Sequence, residues 1–149
     1  MNKKVPLIIG AGHGWCATTP LHLTLQCANR CSHAGLLKED HLLMHIYDSS
    51  MWEWRKPWYD KLIAAKYTPT RNRDRGYLGK WSFHHETEEI ENYYSKNPTL
   101  QNYIQYYTRH YQRVKHEYKY VSDFSNSNAF LPANYLKKIA PVLKKHFDI

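Results

Sequence analysis

Three glycines and two threonines near the amino terminus have the types and spacing to hold a phosphate. They fall in Pro6-Leu7-Ile8-Ile9-Gly10-Ala11-Gly12-His13-Gly14-Trp15-Cys16-Ala17-Thr18-Thr19-Pro20-Leu21. The apolar run Val5 to Ile9 reads as a short parallel strand covered on both faces. Gly10, Gly12 and Gly14 permit a tight turn or a close backbone approach to a ligand. Thr18 and Thr19 put hydroxyls beside the unpaired N–H groups of a helix's first turn. Pro20 suits that turn, where a missing N–H costs nothing. Oriented amides and the positive end of the helix dipole together make an anion site.

Two familiar phosphate loops fit this spacing poorly. The ATP-type loop G-x-x-x-x-G-K-[ST] fails because Cys16, after Trp15, stands where lysine is needed. A dinucleotide fingerprint G-x-G-x-x-G starting at Gly10 meets Trp15 in place of its last glycine. Starting at Gly12 it survives with Ala17 as the last-position variant, and Glu39 and Asp40 stand about 20 residues on as ribose-binding acids. A dinucleotide-dependent enzyme therefore stays open as an alternative.

The same segment resembles the phosphosulfate-binding loop of the sulfotransferase superfamily, a strand followed by G-x-x-[KR]-[SC]-G-T-T-x-L. Gly12, Cys16, Thr18, Thr19 and Leu21 fall on it in register. Trp15 stands where the family has a basic residue, and Ala17 where it has glycine, so His13 or a distant Arg or Lys has to supply the charge. The resemblance implies that Gly12, His13, Gly14, Trp15, Cys16, Ala17, Thr18 and Thr19 hold the donor 3′-phosphoadenosine 5′-phosphosulfate (PAPS). Lys38-Glu39-Asp40-His41-Leu42-Leu43 and Trp58-Tyr59 are similar to the K-E-x-H-F-F-D segment and W-Y pair of the carbohydrate-directed members. That similarity implies Glu39 as the base that takes the acceptor hydroxyl proton, with His41 as the competing base. Asp123-Phe124-Ser125-Asn126-Ser127-Asn128-Ala129-Phe130 lies where the family has E-K-[ST]-P-x-Y, without the lysine. The family's next strand leads to R-D-P and a serine that bind the donor's 3′-phosphate, and Phe147-Asp148-Ile149 comes just before that point.

The elements that must position these residues follow from pattern. Thr18 to Arg30 reads as a helix with Leu21, Leu25 and Ala28 on one face. Ser32 to Gly35 reads as a turn, with a short second strand beginning at Leu36 and Leu37. Leu42-Leu43-Met44 is a short apolar patch. Trp52 to Tyr59 is aromatic and basic, and Asp60 to Lys66 reads as a short helix. Tyr67 to Lys80 reads as a surface loop, and Glu86 to Tyr94 as helical. From Pro98-Thr99 a clearer helix carries Leu100, Tyr103, Ile104, Tyr107, Tyr111 and Val114 on one face, a stripe that reads as core packing. Tyr118 to Phe124 reads as a strand and Ser125 to Asn128 as a turn. Pro132 to Lys145 reads as a helix with Tyr135, Leu136, Ile139 and Leu143 inward and a break at Pro141. Phe147 to Ile149 opens another strand.

At 149 residues and 42% hydrophobic content the chain has the length and apolar fraction of one folded domain rather than a disordered segment. No apolar run approaches the roughly 20 residues that span a bilayer, and the stretch behind Met1-Asn2-Lys3-Lys4 is too short for a secretory leader. A cytoplasmic protein without a membrane partner is the expectation. Three cysteines, Cys16, Cys27 and Cys31, give no even framework for disulfides. His22, Cys27, Cys31 and His33 lack the paired C-x-x-C spacing of a zinc site, so no metal is expected. A net charge of +8 calls for an anionic partner. A phosphorylated nucleotide donor or a sulfated acceptor answers it, and so does nucleic acid stacked on the 13 Tyr and 5 Trp interleaved with Lys and Arg.

The combined expectation is an α/β, three-layer, P-loop NTPase-like fold with a short parallel sheet, in one sulfotransferase-like domain over 1–149 that corresponds to the front half of a catalytic domain. Its activity would be sulfuryl transfer from PAPS to a hydroxyl or amine of a small-molecule or carbohydrate acceptor, without nucleic acid. A homo-oligomer or complementary chain is expected at the C-terminal side. A non-catalytic nucleotide- or nucleic-acid-binding module is the other alternative.

Overall fold

The computed structural model describes residues 4–10, 12, 21, 24–25, 28, 31–33, 41–64, 93–94 and 96–149. The described elements are β1 (Val5–Ile9), β2 (Cys31–His33), α1 (Leu42–Tyr47), α2 (Ser49–Ala64), α3 (Leu100–Val114), β3 (Tyr120–Asp123), a 3₁₀ turn (Asn126–Phe130), α4 (Ala133–His146) and β4 (Phe147–Asp148). This is an α/β architecture. The strands form one sheet in the order β2-β3-β1-β4, with every pairing parallel. Leu7 pairs with Val121, Val5 with Phe147 and Ser32 with Val121.

Strand β1 forms where the apolar run predicts it, with Val5 and Leu7 buried and Pro6, Ile8 and Ile9 half-buried. Leu21, Thr24 and Leu25 are helical, and the Ala28 N–H donates to the Thr24 carbonyl at 3.1 Å, as a helix after the glycine loop requires. Helix α3 starts at Thr99, whose hydroxyl accepts the Asn102 N–H at 3.1 Å. Its inward face carries Tyr103, Ile104, Tyr106, Tyr107, His110 and Val114, all buried. The tyrosine stripe is core: Tyr103 meets Tyr107 at 4.6 Å and Tyr106 meets Tyr93 at 4.5 Å between ring centres. Strand β4 begins at Phe147 and lies beside β1.

Several boundaries differ from the sequence reading. The second strand is Cys31–His33, where the sequence suggests a turn; Leu36 and Leu37 lie outside the described residues. Cys-Ser-His has little intrinsic strand preference, and its pairing with Tyr120 to Ser122 of β3 overrides local propensity. The patch Leu42-Leu43-Met44 opens α1, with Leu42 and Leu43 buried. The aromatic stretch and the expected Asp60 helix are one helix, α2, with Pro57 inside it. Asp48 links α1 to α2: its N–H closes α1 on the Met44 carbonyl at 2.8 Å, and its carboxylate accepts the Ser50 N–H at 3.0 Å. Trp52 and Tyr59, one on each side of Pro57, are both buried and stack at 5.6 Å, which holds the helix together across the proline. Helix α4 likewise runs through Pro141 without a break. It turns Ile139 and Leu143 inward and leaves Leu136 exposed, so its inward face is narrower than predicted. Strand β3 is trimmed to Tyr120–Asp123, and the turn after it is a 3₁₀ turn. Tyr93 and Tyr94 are helical; the loop expected over 67–80 and the start of the helix expected over 86–94 lie outside the described residues.

Gly10 meets β3 closely. Its N–H donates to the Asp123 carbonyl at 2.8 Å, and a Cβ there would lie 2.6 Å from Phe124 Cδ1. Phe124 is buried and has little room to retreat. Gly10→Ala should therefore destabilise the fold by about 1–3 kcal/mol through overpacking. Urea unfolding of Gly10→Ala, with and without Phe124→Leu, checks this. The second substitution should recover part of the loss.

Candidate functional site

The strand order fixes where a ligand crevice can form. From β1 the chain crosses to β2 on one side, returns to β3, and then passes β1 to reach β4 on the other. Parallel connections are right-handed almost without exception. The connections that follow β1 and β3 therefore leave toward opposite faces of the sheet. The carboxyl ends of strands that part in this way are the usual ligand position of an open α/β sheet, and at that point Phe124 packs on Gly10 and Asn128 bonds the Gly10 carbonyl.

The residues at the carboxyl end of β3 form a buried polar network. Asp123 is 1% exposed. Its Oδ1 accepts the Ser125 hydroxyl at 2.7 Å and the Ser125 N–H at 3.2 Å, and its Oδ2 accepts the Tyr103 hydroxyl at 3.0 Å. Burial first, then the neighbouring carboxylate, pushes the Tyr103 phenol well above its usual value, so Tyr103 remains a donor. Ser125 Oγ in turn accepts the His41 N–H at 3.0 Å, and His41 Nδ1 shares a hydrogen bond with Ser127 Oγ at 2.9 Å. Asn128 Nδ2 donates to the Gly10 carbonyl at 3.3 Å and ties the 3₁₀ turn to the end of β1.

His41 is held in an uncommon backbone conformation. Its φ of 58° lies in the left-handed region, costly for a residue with a Cβ. The Ser125 contact to its N–H and the start of α1 on its carbonyl, through the His45 N–H at 2.9 Å, hold it there. Strain kept by surrounding contacts is characteristic of functional positions.

One turn along α1, His45 is 1% exposed and packs on Trp52 at 5.5 Å and Tyr59 at 5.9 Å. Neither its ring nitrogens nor Trp52 Nε1 have a hydrogen-bond partner among the described residues. Burial, helped by the charges of His41 and Arg55, lowers the His45 pKa from 6.5 to about 3. This imidazole is neutral across the physiological range.

Of the sequence-predicted site residues, the structure places His41 against Ser125 and Ser127 in the turn after β3, and Gly12 lies just beyond the Gly10 contact on the chain leaving β1. His13, Gly14, Trp15, Cys16, Ala17, Thr18, Thr19 and Glu39 lie outside the described residues. The inward network around Asp123 and Ser125 and the buried His45 were not singled out as site residues from sequence. The signal for the first is a run of Asp, Ser and Asn at the end of an apolar strand, where such side chains bond neighbouring backbone. A cavity of about 700 Å³ lies elsewhere, beside Lys4, Pro6 and Tyr120 at the amino-terminal ends of β1 and β3. Two of its three lysines, Lys4 and Lys115, have a structural explanation. Lys4 donates to the Lys144 carbonyl in the last turn of α4, and Lys115 caps the end of α3, where cations complement helix dipoles.

No protein-family model, curated protein or solved structure matches the chain. No described helix is long and apolar enough to cross a membrane.

Two measurements probe this network. Tyr103→Phe removes one donor from a buried carboxylate and should cost about 1–3 kcal/mol in urea unfolding, the range for hydrogen bonds to charged groups. The second concerns pH. His45 binds a proton in the unfolded chain below about pH 6.5 and in the folded chain only near pH 3. Its contribution to stability is therefore complete above pH 6.5 and declines as pH falls through that window, by at most about 1.4 kcal/mol per pH unit. Comparing urea midpoints of the wild type and His45→Phe at several pH values should show a shallower acid decline in the variant.

Proposed function

We propose that the chain is a PAPS-dependent sulfotransferase of P-loop NTPase-like, three-layer fold that transfers a sulfuryl group to a hydroxyl or amine acceptor, such as a carbohydrate. The observation that carries this reading is the seating of His41 beside the carboxyl ends of β1 and β3, where the loop from Gly10 to Gly14 also begins. What supports the donor class is the resemblance of that loop to the phosphosulfate-binding pattern. The Asp123 carboxylate at this point is engaged inward by three donors, and the network beyond it carries hydroxyls and an imidazole.

In this reading the amides from Gly14 to Ala17 and the hydroxyls of Thr18 and Thr19 hold the phosphosulfate at the start of the helix. PAPS supplies the sulfuryl group and leaves as adenosine 3′,5′-bisphosphate. The segment Glu39 to His41 accepts the proton of the acceptor as its oxygen or nitrogen attacks sulfur in line. Glu39 is the base that the resemblance implies, and His41 is the one supported by geometry. Asp123, Ser125 and Ser127 keep the His41 ring and backbone oriented, which matters because a misplaced base loses most of its value. His13 or a distant Arg or Lys provides the cation that Trp15 does not.

The test joins binding to turnover. Thermal-shift titration with adenosine 3′,5′-bisphosphate should stabilise the wild type, and Thr18→Val with Thr19→Val should weaken that binding at least tenfold without changing the unliganded melting temperature. PAPS-dependent turnover should fall by about 10²–10⁴-fold in whichever of Glu39→Gln and His41→Asn removes the base, with bisphosphate affinity kept. No stabilisation by the bisphosphate, or equal affinity in the threonine variants, would overturn the reading.

A further inference from the structure

Helix α2 carries an aromatic and cationic face that the sulfuryl-transfer reading does not use. Trp54 is 70% exposed and Trp58 is 36% exposed, unusual for the largest apolar side chain. They are four residues apart, so they share one side of the helix. Between them in sequence, the Arg55 guanidinium lies 5.1 Å from the Trp54 ring centre and 5.4 Å from that of Trp58. Both distances are within cation–π range. Behind this face the helix is anchored by buried Trp52 and Tyr59. The nearby Lys56 and Asp60 neutralise each other at 2.8 Å, and Arg55 is half-buried, with its Nε shut off from solvent.

Among the described residues, Arg55 meets Trp54 and Trp58 at this face, and Trp58 meets Tyr59. Two exposed indoles flanking a guanidinium offer flat π surfaces and a cation together, on a chain whose net charge is +8. We propose that the Trp54-Arg55-Trp58 face binds single-stranded nucleic acid. Bases stack on the exposed indoles, and a backbone phosphate takes the remaining guanidinium donors. Such stacking is sequence-tolerant because every base has a π face. Charge and ring geometry favour this occupant over the alternatives. A neutral sugar leaves the guanidinium without an anion, and a sulfated glycan presents C–H faces to the indoles where a base presents an aromatic one.

The experiment titrates the whole chain with a fluorescent oligothymidylate, following anisotropy and tryptophan emission, and repeats the titration with a heparin oligosaccharide. The wild type should bind the oligothymidylate, with quenching of tryptophan emission and a salt-dependent affinity. Trp54→Ala and Trp58→Ala should each weaken binding by at least fivefold and remove part of the quenching. Arg55→Gln should reduce the slope of log affinity against log salt by about 0.7, the value of one phosphate contact on a single strand. Trp54 is exposed, so an unchanged melting temperature is expected for its variant, and Trp58→Ala provides a second test. The proposal is overturned by the absence of oligothymidylate binding at low salt, by unchanged affinity in both tryptophan variants, or by heparin binding as tightly with the same dependence on Trp54.

Discussion

The buried carboxylate of Asp123 is the constraint on which the rest of the structure depends. An ionised group removed from water must be matched by donors, and Asp123 is matched by the Ser125 N–H, the Ser125 hydroxyl and the Tyr103 hydroxyl. Those three bonds do different work. The two from Ser125 fix the chain as it leaves β3 for the 3₁₀ turn. The one from Tyr103 ties that segment to the first turn of α3. Because Ser125 also receives the His41 N–H, one charge fixes the relative positions of a strand, a helix and the start of α1. Replacing the carboxylate with an apolar side chain would leave donors from two elements facing each other without an acceptor.

What the sequence made legible were the elements whose own side chains determine them. The apolar run of β1, the Thr99 cap and tyrosine stripe of α3, and the Phe147 start of β4 each carry their signal locally. Strand β2 does not, because Cys31, Ser32 and His33 become a strand only through a neighbour almost ninety residues away. Helix α2 was hidden by Pro57, which reads as a stop in sequence. In the fold, aromatic burial on both sides compensates for the lost hydrogen bond.

The site was legible in the same uneven way. His41 stood out because its type suits proton transfer. Ser125, Ser127 and Asn128 read only as turn formers, since nothing in their spacing announces that the turn lies against His41. The same holds for His45. Its side chain looks like an ordinary surface base until Trp52 and Tyr59 of the next helix are seen to pack on it. His41 takes its surroundings from a segment more than eighty residues away, His45 from the helix that follows its own.

The central place of β1 has a consequence for synthesis. Both strands that flank it are encoded more than a hundred residues later, with Leu7 waiting for Val121 and Val5 for Phe147. At ribosomal rates of roughly 5–20 residues per second, the apolar edge of β1 stays without partners for about 5–20 s. Pairings of such long range are also slow to close, because the loop entropy is lost before the contacts form. The emerging chain therefore spends seconds with its central strand open to other polypeptides. During that interval the strand edge is open to association, which the stability of the finished fold does nothing to prevent.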